Sequence, residues 1–108
     1  SCKYSKTSFD DVDVIIPNAP TYYPKNFQRT GVLRERNHDR TLEISGLKYF
    51  YGINIKVNST SSQFSSISNI SLGTNLGFSF VADQHGQLFL TEVWIIPSSA
   101  VFDNDIDQ

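Results

Sequence analysis

From Leu47 to Val57 every odd position is apolar or aromatic, while Lys48, Phe50, Gly52, Asn54 and Lys56 hold the even ones. A period of two cannot be buried on one face of a helix, so this run predicts a strand with one side in a core. Upstream, Leu42 and Ile44 put the apolar set on even positions. The change of parity across Ser45-Gly46 predicts a bulge or tight turn at Gly46. A second alternation runs from Leu72 to Ala82, with Leu72, Thr74, Leu76, Phe78 and Phe80 on one side. Asp83-Gln84-His85-Gly86 then supplies turn chemistry, Asp at the first position and Gly at the fourth, for a short hairpin loop with a bulge. The return run Leu88 to Ile96 is nearly continuous in apolar residues, which requires burial on both faces, between layers or against another subunit.

Weaker signals complete the element list. Val12 to Ile16 reads as a short strand stopped by Pro17, and Pro17, Pro20 and Pro24 force an ordered crossing loop over 17–26 that displays Tyr22 and Tyr23. Residues 58–64 read as a Ser-rich loop and 65–72 as an interface strand. With strands near 12–16, 30–35, 41–45, 47–57, 67–72, 74–82 and 87–96, the expected fold is all-β, an antiparallel β-sandwich or jelly-roll-like barrel of six to seven strands. The expected organisation is a flexible N-terminal segment at 1–11, a single β-sandwich domain at 12–97 and an acidic C-terminal tail at 98–108. The absence of Met, at position 1 as elsewhere, suggests a processed or excised chain.

Charge sharpens the picture. All nine Lys and Arg lie at or before Lys56, where they meet six Asp and Glu for a net +3, and the remainder carries only five acids. From Val57 to Ala82 there is no charge at all. Such a surface is buried, partnered or covered with neutral polar groups, and self-association through the 65–96 region is the expectation. The net charge of −2 argues against phosphate-backbone binding, so no nucleic acid is expected as partner. No run of about 18 apolar residues is present, so no membrane insertion is expected. One cysteine, Cys2, excludes an internal disulfide.

Candidate chemistry is sparse. Arg34, Arg36 and His38, in the run Arg34-Glu35-Arg36-Asn37-His38-Asp39-Arg40, could clamp a carboxylate, a sulfate or an acidic sugar, against the simpler reading of a solvated hairpin tip. Tyr22 and Tyr23, near either Asp83-His85 or Arg34-His38, form a candidate sugar-stacking set, against the simpler reading that the tyrosines cover a sheet edge. His38 and His85 are the only histidines, and neither sits in a nucleophile or metal-ligand motif, so neither a metal nor another cofactor is expected and a His-dependent hydrolase is the remotest reading. Phe50 falls outside the core-facing set of its strand. Asn58-Ser59-Thr60 and Asn69-Ile70-Ser71 are glycosylation sequons of the kind that this Ser- and Asn-rich composition produces by chance.

The run Leu42 to Val57, then Gly77-Phe78, then Trp94-Ile95, resembles in strand order small β-sandwich lectin and attachment domains such as the H-type lectins. The sugar-binding Trp those families carry before the last hairpin turn has no counterpart, as Ala82 and Asp83 occupy that region, so no site is transferred. The expectation is a non-enzymatic module that binds a glycan or surface protein through loops, as a homo-oligomer, in an extracellular, secreted or particle-surface setting. The competing expectation is a structural subunit of a capsid, fibre or secreted assembly.

Overall fold

The structure, a computed structural model, describes residues 12–102. Nine strands fill it: β1 (Val12–Ile15), β2 (Asn26–Phe27), β3 (Arg29–Arg36), β4 (Thr41–Ile44), β5 (Leu47–Ser59), β6 (Ser62–Ser65), β7 (Asn75–Ala82), β8 (Leu88–Ile96) and β9 (Val101–Phe102). The only helical element among the described residues is a single 3-10 turn, Ile67–Asn69. The chain is therefore all-β.

The larger sheet runs β4-β3-β7-β8-β5-β6, and β4 also pairs with β5, which closes β3, β4, β5, β8 and β7 into a five-stranded barrel with β6 on its margin. One seam is parallel: β5 lies beside β8 with Tyr49 opposite Leu88 and Phe50 opposite Phe89. The expectation of a wholly antiparallel sheet fails there. β8 enters between β7, its hairpin partner, and β5, whose direction it shares, and no local pattern records that pairing.

Turns explain the registers. Ser45 and Gly46 both have positive φ, 50° and 89°, and Ile44 pairs with Leu47, the geometry of a two-residue hairpin turn whose twist matches its strands. The Ser-rich run is ordered: Ser59 Oγ accepts from the Ser61 and Ser62 amides at 3.3 and 3.1 Å, turning β5 tightly into β6. β6 thus takes up 62–64, where a loop was expected, and ends at Ser65, where the interface strand was expected to begin. The expected strand at 67–72 is replaced by the 3-10 turn, because Ile67 and Ile70 are both buried and a spacing of three places them on one side of a helical turn, not of a strand.

Within β5 the alternation holds at Tyr49 and Val57, both buried to 1% exposure, but Ile53 is 75% exposed. Between the paired positions Tyr51–Leu90 and Lys56–Glu92, β5 advances five residues while β8 advances two. The surplus carries residues 52–55 out of the barrel wall as a wide bulge.

The barrel encloses Leu33, Leu42, Ile44, Tyr49, Val57, Leu76, Phe78, Leu90 and Val93, capped by Ile67 and Ile70. Arg29 closes the end near Tyr49, with Nη1 donating to the Tyr49 hydroxyl at 3.0 Å and the guanidinium 4.5 Å from the Phe80 ring centroid. A second layer, the sheet β2-β1-β9, brings Val14, Ile16, Tyr23 and Phe27 against Trp94 and Ile96. From Leu90 onward the two-sided apolar character of β8 is satisfied within the chain: Leu90 and Val93 face the barrel core, while Trp94 and Ile96 face the small sheet. Gly77 makes the seam possible, since a Cβ there would lie 2.5 Å from the Phe27 ring. Val101 and Phe102 pair with Ile15 and Val14, so strand structure continues past Pro97. The expectations for 1–11, including Cys2, and for 103–108 lie outside the described residues.

Candidate functional site

The small sheet covers the outer face of the barrel around Gly77, Trp94 and Ile96. Elsewhere on the wall, the outward side chains of neighbouring strands remain in view. The register puts Thr41 beside Phe50, Phe50 beside Phe89, and Phe89 beside Val81. Phe50 and Phe89 are half-buried and stack with centroids 5.3 Å apart and planes 29° apart. Lys48 lies over the outer side of Phe50, its Nζ 5.3 Å from the ring centroid, and Glu43 is the register partner of Lys48. Val81 extends the apolar strip at 55% exposure. The result is a partly exposed aromatic platform of two rings stacked on one another, bordered by one cation and one carboxylate.

Two turns bracket it. Residues 37–40 join β3 to β4 and run directly into Thr41, the neighbour of Phe50. Asn37 Nδ2 donates to Thr41 Oγ1 at 3.0 Å, and the Thr41 hydroxyl donates to Asp39 Oδ1 at 2.6 Å. That donation, favouring the ionised form, holds the Asp39 carboxyl below the usual carboxylate range. The buried Thr41 thereby fixes the turn that presents His38, Asp39 and Arg40, all exposed. Residues 83–87 join β7 to β8 and run into Leu88 and Phe89. Asp83 Oδ1 accepts from the amides of His85 and Gln87 at 2.9 and 2.8 Å, and Gly86 takes the left-handed conformation that closes the loop. The Asp83 carboxylate is a turn staple, and His85 projects from the tip, exposed.

The predicted site residues thus divide. His38 and, through their turn, Asp83 and His85 lie at the margins of the Phe50–Phe89 platform. Arg34 and Arg36 sit exposed on β3, where Arg36 Nη1 donates to the Ile70 carbonyl and ties β3 to the 3-10 turn. Tyr22 and Tyr23 belong to the other layer. The Tyr22 hydroxyl donates to Ser59 O at 2.7 Å, and the Trp94 indole donates to Tyr22 O at 3.2 Å. The Tyr23 hydroxyl, in a residue 7% exposed, lies 2.7 Å from Ile95 O and 3.1 Å from Asn58 O. Burial, with the adjacent Tyr22 adding to it, pushes that hydroxyl well above the ordinary tyrosine range. Tyr23 also borders a groove of about 810 Å³ between β1 and the proline loop, with Ile16, Pro20 and Lys25 among its walls. The pair latches the small sheet to the barrel and is not gathered with either turn.

Lys48, Phe89 and Val81 were not singled out by the sequence. The signal for Phe50 was its place on the polar side of an alternating strand. Phe89 was hidden inside a continuous apolar run, where no phase distinguishes inward from outward. Among the described residues no group of three His, Cys, Asp or Glu side chains is placed to hold a metal ion, and no helix is long and apolar enough to cross a membrane. No family model, curated protein or solved structure matches the chain.

Proposed function

We propose that the chain is a non-enzymatic recognition module that holds a sugar ring of an extracellular or particle-surface glycan on the Phe50–Phe89 platform. The observation that carries this reading is the stacked, half-exposed aromatic pair on the barrel wall between two polar turns. A sugar places its C–H face on such rings while its hydroxyls accept hydrogen bonds from Lys48, Arg40, His38 and Gln87 at the rim and donate to the Glu43 carboxylate.

The topology lends support. β3, β4 and β5 follow one another through hairpin turns, and β7 returns beside β3, which is a Greek key. With β8 closing the ring, we read the fold as a small five-stranded Greek-key barrel, in preference to a two-sheet sandwich or a jelly roll. Barrels of this architecture in the OB class use the face of their second and third strands, with the loops between strands one and two and between four and five, to bind oligosaccharides and oligonucleotides. The corresponding places here are β4, β5, the 37–40 turn and the 83–87 turn. Architecture alone assigns no ligand.

Charge chooses between the two ligand classes. Around the platform Arg40 and Lys48 are matched by Asp39 and Glu43, so no cationic track follows a phosphate backbone, whereas a neutral or weakly acidic sugar meets no penalty. The test is a screen of immobilised glycans followed by calorimetry on each hit, run beside a single-stranded oligonucleotide at low and high salt. Phe50→Ser and Phe89→Ser, each verified as folded by circular dichroism, are expected to weaken glycan binding tenfold or more, with little salt dependence. Salt-sensitive oligonucleotide binding would overturn the glycan assignment. Silence on every glycan would favour the structural-subunit reading.

A further inference from the structure

We infer that a second copy of this chain docks on the free edge of β6, forming a two-fold dimer in which Phe64 of each copy enters the groove beside β6 of the other. β6 is the last strand in its sheet and has no neighbour on its outer side among the described residues. Natural edges are blunted by charge, proline or covering segments. Ser62-Gln63-Phe64-Ser65 carries neither charge nor proline.

The edge carries both halves of a contact. Phe64 is 88% exposed and Ile53, lifted out by the β5 bulge, is 75% exposed, the two most exposed large apolar side chains among the described residues. Beside them lies a groove of about 670 Å³, with Tyr51, Ile53, Ile55, Phe64 and Ile67 among its walls. A knob next to a hole on one surface is what an isologous contact requires, because the two-fold axis sets each knob against the partner's hole.

Charge selects the occupant. Near a two-fold axis each residue approaches its own symmetry mate, so any charge there meets its like. From Val57 to Ala82 the chain has none, and the one cation bordering the groove, Lys56, lies 3.8 Å from Glu92 Oε2 of its own chain. A partner recognised through acidic or basic groups would find only Lys56, already beside Glu92, to pair with on this edge. A four-residue ladder with two apolar anchors buries less than the ~1,600 Å² of a standard interface. The dimer is accordingly expected to half-form on the order of 0.1 mM.

The test is sedimentation equilibrium on the full chain, with reductant so that Cys2 forms no bridge, up to about 1 mM. The wild type is expected to dimerise reversibly. Phe64→Lys and, separately, Ile53→Lys are each expected to raise the dissociation constant tenfold or more, and the high exposure of both positions keeps either variant folded. Mixing Phe64→Lys with Phe64→Glu is expected to restore a one-to-one dimer, because residues 64 of paired four-residue strands lie within about one Debye length of each other. A wild type that stays monomeric at the top concentration overturns the inference and leaves the edge to a different occupant. A dimer that survives both lysine substitutions also overturns it, since the contact then lies elsewhere.

Discussion

Gly77 and Phe27 hold the two layers together, and their contact can be measured by a double-mutant cycle whose sign is set by geometry. A Cβ on Gly77 would meet three Phe27 ring carbons at 2.5 to 2.7 Å, far inside van der Waals contact. The ring is 2% exposed and rests 5.5 Å from Trp94, centroid to centroid, with planes at 53°, so it has little room to retreat. Gly77→Ala in the wild type is therefore an overpacking substitution, expected to cost about 1–3 kcal/mol. Phe27→Ala deletes a buried ring and is expected to cost about 3–5 kcal/mol. In the Phe27→Ala background the obstructing atoms are gone, and alanine is favoured over glycine within a strand by roughly 0.5–1 kcal/mol. Gly77→Ala should then be neutral or stabilising. Leucine will not serve at position 27, because its own branched carbons would occupy the same space.

The assay is urea unfolding, followed by emission of Trp94, the only tryptophan, and by far-ultraviolet circular dichroism. Agreement between the two probes shows that the layers unfold together. A coupling of about 2 kcal/mol between positions 27 and 77, with the slope against urea unchanged, is the expected result. Equal costs of Gly77→Ala in both backgrounds would refute the seating of Phe27 over Gly77, and with it the account of how the small sheet is held.

Three further outcomes follow from the same geometry. Tyr23→Phe should destabilise the fold by about 1–3 kcal/mol in urea titration, because the Asn58 and Ile95 carbonyls lose the donor they share. With the folded hydroxyl above the ordinary tyrosine range, its contribution is intact at neutral pH and declines as pH rises past the unfolded value near 10, by about 1.4 kcal/mol per pH unit for one proton; absorbance titration near 295 nm should find this tyrosine ionising only on unfolding. Thr41→Val should return the Asp39 carboxyl upward towards its ordinary range, read by NMR titration, and loosen the 37–40 turn; an unmoved titration would sink the assigned hydroxyl bond. Asn58 is fully buried, its amide donating to Glu92 Oε2 and Val93 O at 3.0 and 3.1 Å, whereas Asn69 is exposed; folded protein secreted from a glycosylating host should carry sugar at Asn69 alone, and a mass increment surviving Asn69→Gln would contradict this.

What the sequence revealed was whatever depends on neighbours in the chain. Alternation disclosed the cores of β5 and β7, a continuous apolar run disclosed β8, and turn chemistry disclosed the loops at Gly46 and Asp83, because all three follow from a few adjacent residues. The parallel seam, the closure of the barrel and the bulge at 52–55 depend on which strand lies opposite, and Ile53 looked inward-facing because its alternation was unbroken. Tyr22 and Tyr23 illustrate the limit for sites: an exposed tyrosine stacks on a sugar, a packed one binds a carbonyl, and only the position of Ser59, Asn58 and Ile95 decides. The turns flanking the candidate platform were singled out, while the platform itself was visible only in the phase of Phe50.

The two layers and the candidate site have a common cause in the outer surface of one barrel. A five-stranded barrel this small turns half of its strand residues outward, and an outward aromatic must be covered, solvated or used. Around Gly77 the chain covers its own wall: the missing Cβ admits Phe27, and Trp94 and Ile96 are buried beneath the small sheet. Farther along the same strands, towards the 83–87 turn, Val81 and Phe89 stand where that sheet no longer reaches, and Phe50 lies beside Phe89 on β5. The outward Glu43 on β4 and Lys48 on β5 show that this wall also accepts polar residues. Phe50→Ser and Phe89→Ser should accordingly leave stability within about 1 kcal/mol of the wild type while removing ligand binding. A large loss of stability from either would mean that the pair serves the fold, and the platform would lose its claim as a site.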